Sequence, residues 1–140
     1  MHIDEIMTGA PRVIRERASI REAWDVLRAL EVRHLPVVNV EGELIGIVSD
    51  RDFAVPPSPP LMDELIGSRR IELDAPVSTI MTGAPVSLEP DDNLAEAIDM
   101  MIENRVGALP VVGPEGEVIG IVSYLDILRN LREQAATAAS

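Results

Sequence analysis

The sequence predicts an α/β protein made of two copies of one β-α-β-β-α unit, related by a pseudo-twofold axis. The chain aligns with itself without a gap at an offset of 74 residues, so that IMTGAP at 6–11 meets IMTGAP at 80–85. In the same register, LPVVNVEGELIGIVSDRD at 35–52 meets LPVVGPEGEVIGIVSYLD at 109–126. One copy of roughly 60 residues would be a marginal fold. We therefore expect the two copies to share one core.

Each copy begins with a short extended stretch followed by a helix. The extended stretches lie near 12–14 and 86–88. In the first copy Ser19 and Glu22 have the spacing of a capping box, and Asn93 and Glu96 are a weaker counterpart in the second. Apolar residues at helical spacing then predict one buried face in each copy. These residues are Ile20, Ala23, Trp24, Leu27 and Leu30, repeated by Leu94, Ala97, Ile98 and Met101.

Two apolar runs follow each helix and predict a pair of strands. The turns between them fall at Glu41-Gly42 and Glu115-Gly116. The remaining glycines of GELIGIV and GEVIGIV are interpreted as positions of close packing and not as a phosphate loop. A second helix is expected to open at Ser49 and again at Ser123.

The two copies differ after this point, and the difference sets the predicted boundaries. The prolines of PPSPP at 56–60 must stop any helix after Ser49, and this segment is interpreted as a stiff connector. The next segment, LMDELIG at 61–67, is a candidate for a short helix. We predict repeat 1 over residues 1–66, repeat 2 over 67–132 and a frayed tail over 133–140.

Composition narrows the possible partners and compartments. With 2% aromatic residues the core must be aliphatic, and without cysteine the chain has no disulfide or thiolate metal site. The formal net charge of -12 repels nucleic acid and anionic membranes. No apolar run approaches the ~20 residues of a membrane helix, and the acidic N-terminus lacks a signal segment. We expect a cytoplasmic protein that binds neither nucleic acid nor membrane.

The repeated GIVSDRD and GIVSYLD carry the strongest chemical signal. In each, an apolar strand ends in Ser, and Asp follows three residues later, so that a hydroxyl and a carboxylate converge at the start of a helix. A carboxylate can accept two hydrogen bonds side by side from a vicinal diol such as ribose, and the helix start favours an anion. The alternative is ordinary helix capping by the same residues. Recurrence in register favours the ligand interpretation.

Other chemistry finds little support. The only histidine besides His34 is His2, so we predict no metal site. No readable Ser-His-acid arrangement and no Walker or dinucleotide motif is present, so we predict that the chain is not an enzyme.

Taken together, the repeated motifs resemble a tandem pair of CBS domains, a Bateman module, of the stand-alone prokaryotic type. The resemblance covers residues 5 to 132. It implies two CBS repeats packed through their sheets, no required cofactor, and an adenosine ligand (AMP, ADP, ATP or S-adenosylmethionine) bound in clefts between the repeats. It also implies a homodimer, and a regulated target that we expect to be a separate polypeptide.

The resemblance assigns residues of both repeats to each cleft. The stronger cleft would hold Ser123, Asp126, Arg12, Val13, Val32, Arg33 and His34. The weaker cleft would hold Ser49, Asp52, Val86, Ser87, Val106, Gly107 and Ala108. Arg33 and His34 can contact phosphates through their side chains, whereas Gly107 and Ala108 offer only backbone groups, so we expect tighter nucleotide binding at Ser123 and Asp126.

Two functions remain open. One is a non-enzymatic sensor of adenosine nucleotides that signals by conformational change, with an S-adenosylmethionine sensor as a variant. The other is an assembly module that dimerises without a ligand.

Overall fold

The computed structural model describes residues 1–53 and 73–139, and the chain forms two compact units. We name each unit after the serine of its repeated motif. The Ser49 unit comprises Val13–Val40 and Ile45–Ala84. The Ser123 unit comprises Met1–Arg12, Glu41–Leu44 and Pro85–Ser140. The PPSPP and LMDELIG segments lie outside the described residues, and the predicted repeat boundary at residues 66 and 67 stays a prediction.

The described residues contain three α-helices and two sheets, which confirms the α/β class. The elements are, in chain order, β1 (Thr8–Gly9), β2 (Ile14–Arg15), α1 (Ile20–Leu30), β3 (His34–Val38), β4 (Leu44–Ser49), β5 (Thr82–Gly83), α2 (Leu94–Asn104), β6 (Ala108–Val112), β7 (Val118–Ser123) and α3 (Tyr124–Ala139). Short 3-10 helices span Ile3–Glu5, Asp50–Phe53 and Val77–Thr79. The strand order is β2-β3-β4-β5 in the Ser49 unit and β1-β7-β6 in the Ser123 unit.

The two TG strands have a pairing that we did not predict. In the Ser123 unit, β1 runs antiparallel to β7, with Thr8 opposite Ile121. In the Ser49 unit, β5 runs antiparallel to β4, with Thr82 opposite Ile47. Each IMTGAP copy therefore pairs with the strand that ends in Ser in the other copy, which is why both units are discontinuous in sequence.

The predicted early strands lie close to their expected places. In the first copy the strand is β2, two residues later than the expected start, and it pairs in parallel with β3. In the second copy, Leu88 forms a single parallel bridge with Val111. Both pairings place the early extended segment beside the apolar strand that follows the helix.

Each unit has an aliphatic core, as the composition requires. In the Ser49 unit it consists of Ile14, Ala23, Leu27, Leu35, Val37, Val48 and Val77. In the Ser123 unit it consists of Ile3, Leu88, Ala97, Met101, Leu109, Val111, Val122 and Ile127. The predicted face of α1 is confirmed except at its end, where Leu30 is exposed.

Helix caps and turns follow the sequence signals. Ser19 Oγ accepts a hydrogen bond of 3.1 Å from the Glu22 N–H. The expected weaker cap is the more complete one, because Asn93 Oδ1 accepts from the Glu96 N–H at 2.9 Å and Glu96 Oε2 accepts from the Asn93 N–H at 3.1 Å. Gly42 and Gly116 have φ of 84° and 83°, the left-handed conformation that glycine adopts without strain.

The second helices are unequal. Helix α3 continues to Ala139 and includes most of the segment from residue 133 onward, whose fraying stays a prediction. After Ser49 the structure describes only a 3-10 helix, Asp50–Phe53, in place of the first turns of an α-helix that we expected. The two Asp residues of the repeated motifs therefore sit on different local supports.

Gly46 and Gly120 each face a methionine side chain, which confirms the prediction that these glycines are positions of close packing. A Cβ added at Gly120 would collide with the Met7 side chain, which supplies its three nearest atoms, including Cγ at 2.9 Å and Cε at 3.2 Å. A Cβ at Gly46 would collide with the Met81 side chain and would also lie 3.1 Å from the Thr82 carbonyl oxygen. The strands can approach this closely only because both glycines lack a side chain.

We expect Gly120→Ala to lower the free energy of unfolding by about 1–3 kcal/mol, because it overpacks the strand against Met7. Adding Met7→Ala should restore part of the loss, with a coupling energy of roughly 0.5–3 kcal/mol in a double-mutant cycle measured by urea denaturation. The Gly46→Ala and Met81→Ala cycle is the matched comparison. Its rescue should be smaller, because the Thr82 carbonyl is backbone and cannot move aside. Equal coupling energies in the two cycles, or no coupling in either, would contradict this explanation.

Candidate functional site

The two Ser-Asp motifs have the same internal hydrogen bonds. The Ser49 N–H donates to Asp52 Oδ2 at 2.8 Å, and the Ser123 N–H donates to Asp126 Oδ2 at 2.8 Å. The hydroxyls also reach these oxygens, at 3.4 Å from Ser49 Oγ and 3.1 Å from Ser123 Oγ. In both units, one oxygen of the carboxylate is held by the backbone at the end of a strand.

The capping interpretation is therefore confirmed at Ser123. There the Asp126 N–H also donates back to Ser123 Oγ at 3.3 Å, which makes the pair reciprocal at the start of α3. Capping occupies Asp126 Oδ2 and leaves Oδ1, whose described ion-pair partner is Arg129 Nη1 at 4.0 Å. The Asp126 side chain keeps 15% of its surface exposed. The second carboxylate oxygen of this fixed, partly exposed side chain can still accept a hydrogen bond from a ligand.

Within each unit, the motif lies beside the residues that precede LP of the same repeat. The Asp50 N–H donates to the Arg33 carbonyl at 2.9 Å, and the Tyr124 N–H donates to the Gly107 carbonyl at 2.9 Å. In the Ser123 unit, the strand register also sets Ala108 opposite Ser123. These backbone bonds fix where the residues preceding LP lie relative to the serine.

His34 is half-buried at the start of β3 and is surrounded by charges of its own unit. Burial lowers the pKa of its imidazole below the ordinary value of 6.5, since desolvation disfavours the charged ring. Asp50 and Asp52 raise this pKa, whereas Arg33 and Arg51 lower it further, and burial prevails. His34 is thus neutral at pH 7. Of these two adjacent residues, Arg33 would therefore supply the positive charge that contacts an anion.

The remaining predicted site residues divide between the units. Val13 and Val32 belong to the Ser49 unit, whereas Arg12, Val86, Ser87 and Val106 belong to the Ser123 unit. Most of them are exposed; Val13 and Ser87 are half-buried. The two clefts that combine these residues with motifs of the other repeat stay predictions.

Two features escaped the sequence analysis. Trp24 and Phe53, the chain's only residues of their types, stack with ring centroids 5.3 Å apart. A chain with a single tryptophan and a single phenylalanine could have suggested that the two rings pack together, and this was the only signal of the contact in the sequence.

The second feature is an acidic cluster, in which Glu89, Asp91 and Asp92 bring three carboxylates within 4.8 Å of one another just before α2. Asp92 Oδ2 already accepts from the Glu89 N–H at 2.8 Å, so this cluster acts as a turn.

Membrane insertion finds no support in the described part of the chain. Across residues 1–53 and 73–139, no helix combines the length and apolar character needed to span a bilayer.

Comparison with known proteins decides the family. The model of the CBS domain matches residues 3–55 and 77–133, so it covers both repeats and most of the chain. The chain belongs to the CBS-domain family. Both matches include a Ser-Asp motif, which places the paired hydrogen bonds described above inside the two CBS domains.

Curated CBS-domain relatives are of two kinds. A CBS domain-containing protein of Dictyostelium discoideum is 32% identical over 127 residues, with 90% of this chain and 88% of the relative covered. A homoserine O-acetyltransferase of Methanocorpusculum labreanum is 32% identical over 123 residues, but the match covers 88% of this chain and only 23% of that enzyme. CBS pairs thus occur both nearly alone and as parts of longer enzymes.

Solved CBS pairs share the fold of this chain over nearly all of its length. CBSX2, solved in complex with AMP, is 26% identical with a TM-score of 0.78, covering 94% of this chain and 97% of that chain. The CBS domain pair of MJ0100, solved with 5'-methylthioadenosine and S-adenosyl-L-methionine, is 23% identical with a TM-score of 0.78, covering 96% and 98%. At that identity the second likeness supports the fold alone.

We expect an NMR titration of His34 to give a pKa below 6.5, and Asp50→Asn to lower it further by removing a charge that favours the imidazolium. The folded state then binds fewer protons than the unfolded state between the lowered pKa and 6.5. The contribution of His34 to stability is therefore fully present above pH 6.5 and is lost as the pH falls through this window. Asp25→Asn on α1 is the control. A pKa above 6.5 would contradict the account.

Proposed function

We propose that this CBS pair is a non-enzymatic regulatory module that binds an adenine nucleotide through its Ser-Asp motifs and signals by conformational change. The observation that carries the proposal is the carboxylate of Asp126, which the Ser123 N–H holds at one oxygen while the side chain keeps 15% of its surface exposed. A ribose diol donates hydrogen bonds to such an acceptor without disrupting the cap.

The fixed geometry favours binding. Because Asp126 is already oriented by Ser123 through both the backbone and the hydroxyl, a ligand does not have to order it, and less conformational entropy is lost on association. A likeness of 26% identity to CBSX2, solved with AMP, supports the same ligand class.

Charge favours a ligand with few phosphates. The Ser123 unit contains 14 acidic residues and four arginines, whereas the Ser49 unit contains ten and eight. An acidic surround disfavours each added phosphate, and His34 is neutral at pH 7. With only Arg12 and Arg33 as the positive charges that the resemblance assigns to the stronger cleft, AMP should bind more tightly than ATP.

The nucleotide prediction is tested by calorimetric titration with AMP, ATP, adenosine and S-adenosylmethionine. Asp126→Asn should abolish the tighter site, because the amide keeps a capping oxygen but turns its other group into a donor that opposes the diol. Asp52→Asn is the matched variant and should remove only the weaker site. Arg33→Ala should weaken AMP by about tenfold or more and leave adenosine unchanged, since one charge-assisted hydrogen bond is lost.

The outcomes separate the competing functions. Tight binding of S-adenosylmethionine, with AMP binding weakly, would favour the sensor of that ligand. Heat from none of the four ligands would favour a ligand-free assembly module. Loss of the tight site in Asp52→Asn instead of Asp126→Asn would reverse our assignment of the clefts.

We also propose that the chain forms a homodimer through the exposed face of α3. Tyr124, Leu128 and Leu131 recur at helical spacing and remain 40%, 53% and 43% exposed. A contiguous apolar stripe of this kind usually marks an interface. A second copy presents the same stripe, so the contact would be self-complementary.

We expect sedimentation to show a dimer for the wild-type chain and a monomer for Leu128→Glu, because a charge in an apolar interface is left desolvated. Ala95→Glu is the control: it adds the same charge at an exposed position in the first turn of α2 and should leave the dimer intact. A wild-type monomer at tens of micromolar, about the range where modest interfaces associate, would count against the dimer.

A further inference from the structure

Both motif carboxylates accept a hydrogen bond of 2.8 Å from the serine N–H, but the residues that follow each Asp support it differently. In the Ser123 unit, Asp126 lies in the first turn of α3, and the next residue, Ile127, is 6% exposed within the core. In the Ser49 unit, Asp52 lies in the 3-10 helix Asp50–Phe53. On this side the structure describes the chain as far as Phe53, the last residue of that 3-10 helix.

Phe53 supplies the support on this side. It occupies the position equivalent to Ile127 at the 74-residue offset and packs at the edge of the Ser49 core. Its ring lies 5.3 Å from that of Trp24 at an interplanar angle of 42°. The separation of the centroids lies within the range at which aromatic pairs stabilise one another beyond the burial of their surface.

Trp24 is held in place by contacts within its own helix, α1. It belongs to α1, between the buried Ala23 and Leu27, and it stands where the other repeat has Ile98. One turn later, Arg28 Cζ lies 5.9 Å from the centroid of the Trp24 ring, within the range of a cation–π contact. The indole is therefore held by its own helix, through its attachment to α1 and through the Arg28 guanidinium.

We propose that Trp24 is a positioning residue for Asp52, acting through Phe53, and that its indole reports ligand binding at the Ser49 motif. Phe53 is covalently adjacent to Asp52, so a ring fixed against α1 restrains the peptide that carries the carboxylate. The aromatic pair thus anchors the described end of the segment that carries Asp52. The reporting role rests on the proposed nucleotide binding, whereas the positioning role does not.

The positioning role is tested without ligand by amide hydrogen exchange at Ser49, whose N–H donates to Asp52 Oδ2 at 2.8 Å. Trp24→Ala should speed exchange at Ser49 more than at Val77, a buried amide of the same unit bonded to the Ala18 carbonyl at 2.7 Å. Trp24→Phe should restore slow exchange, because it keeps an aromatic ring for Phe53. Ile98→Ala, the matched variant in the Ser123 unit, should leave Ser49 unchanged.

The reporting role is tested by titrating AMP into Asp126→Asn, where the Ser49 motif is the remaining one. The fluorescence of Trp24, the only tryptophan, should change on binding and should not change when Asp52→Asn is added. In the same background, Trp24→Ala should weaken AMP by about twofold to tenfold by calorimetry, the range expected for one aromatic contact. Trp24→Phe should weaken it less.

The results separate the two proposals. If no nucleotide binds, the proposed function fails, and Ser49 exchange still decides the positioning role. If Trp24→Ala speeds Ser49 and Val77 equally, Trp24 merely stabilises the unit and the positioning role is overturned. If AMP binds in an Asp52-dependent way while the fluorescence stays constant, the reporting role is overturned.

Discussion

The antiparallel pairing of each TG strand with the strand that ends in the motif serine is the constraint on which the rest of the fold depends. Since Thr8 pairs with Ile121 and Thr82 pairs with Ile47, each unit needs a segment from the other copy. The same pairing lays a methionine across the strand and so requires glycine at 46 and 120. It also keeps β4 and β7 as inner strands of their sheets, so the backbone leading to each serine is held from both edges.

Capping and ligand binding are usually treated as rival explanations of a Ser-x-x-Asp motif, but here the first prepares the second. An isolated surface carboxylate rotates freely and loses that freedom when it binds. Asp126 has already lost it to the Ser123 N–H at 2.8 Å and hydroxyl at 3.1 Å. The cap contributes about 1 kcal/mol to the helix, and the remaining oxygen keeps a defined direction. Folding, and not the ligand, therefore supplies the order of the acceptor.

Local sequence signals predicted most of the fold. The features that were missed depend on contacts between residues distant in sequence. The turns at Gly42 and Gly116, the caps at Ser19 and Asn93 and the apolar faces of α1 and α2 depend on neighbours within a few residues, so the sequence reveals them. The TG strands are two residues long and acquire their identity only from a partner distant in sequence. The Trp24–Phe53 stack was missed for the same reason, since no spacing rule joins residues 24 and 53. For the site, the Ser-Asp pairs were predictable because each is local.

The two copies have kept the motif and diverged in what surrounds it, which suits a sensor with unequal sites. Asp126 has a long helix behind it and Asp52 has an aromatic pair. The turn that carries Asp126 is secured by the buried Ile127, whereas the aromatic contact beside Asp52 contributes roughly a kcal/mol and can open at modest cost. In the Ser49 unit, His34 also interacts electrostatically with Asp50 and Asp52. A change in the charge of either carboxylate therefore changes the pKa of the imidazole. If the chain signals by a shift in conformation, we expect the segment that carries Asp52 to rearrange at lower cost than the segment that carries Asp126.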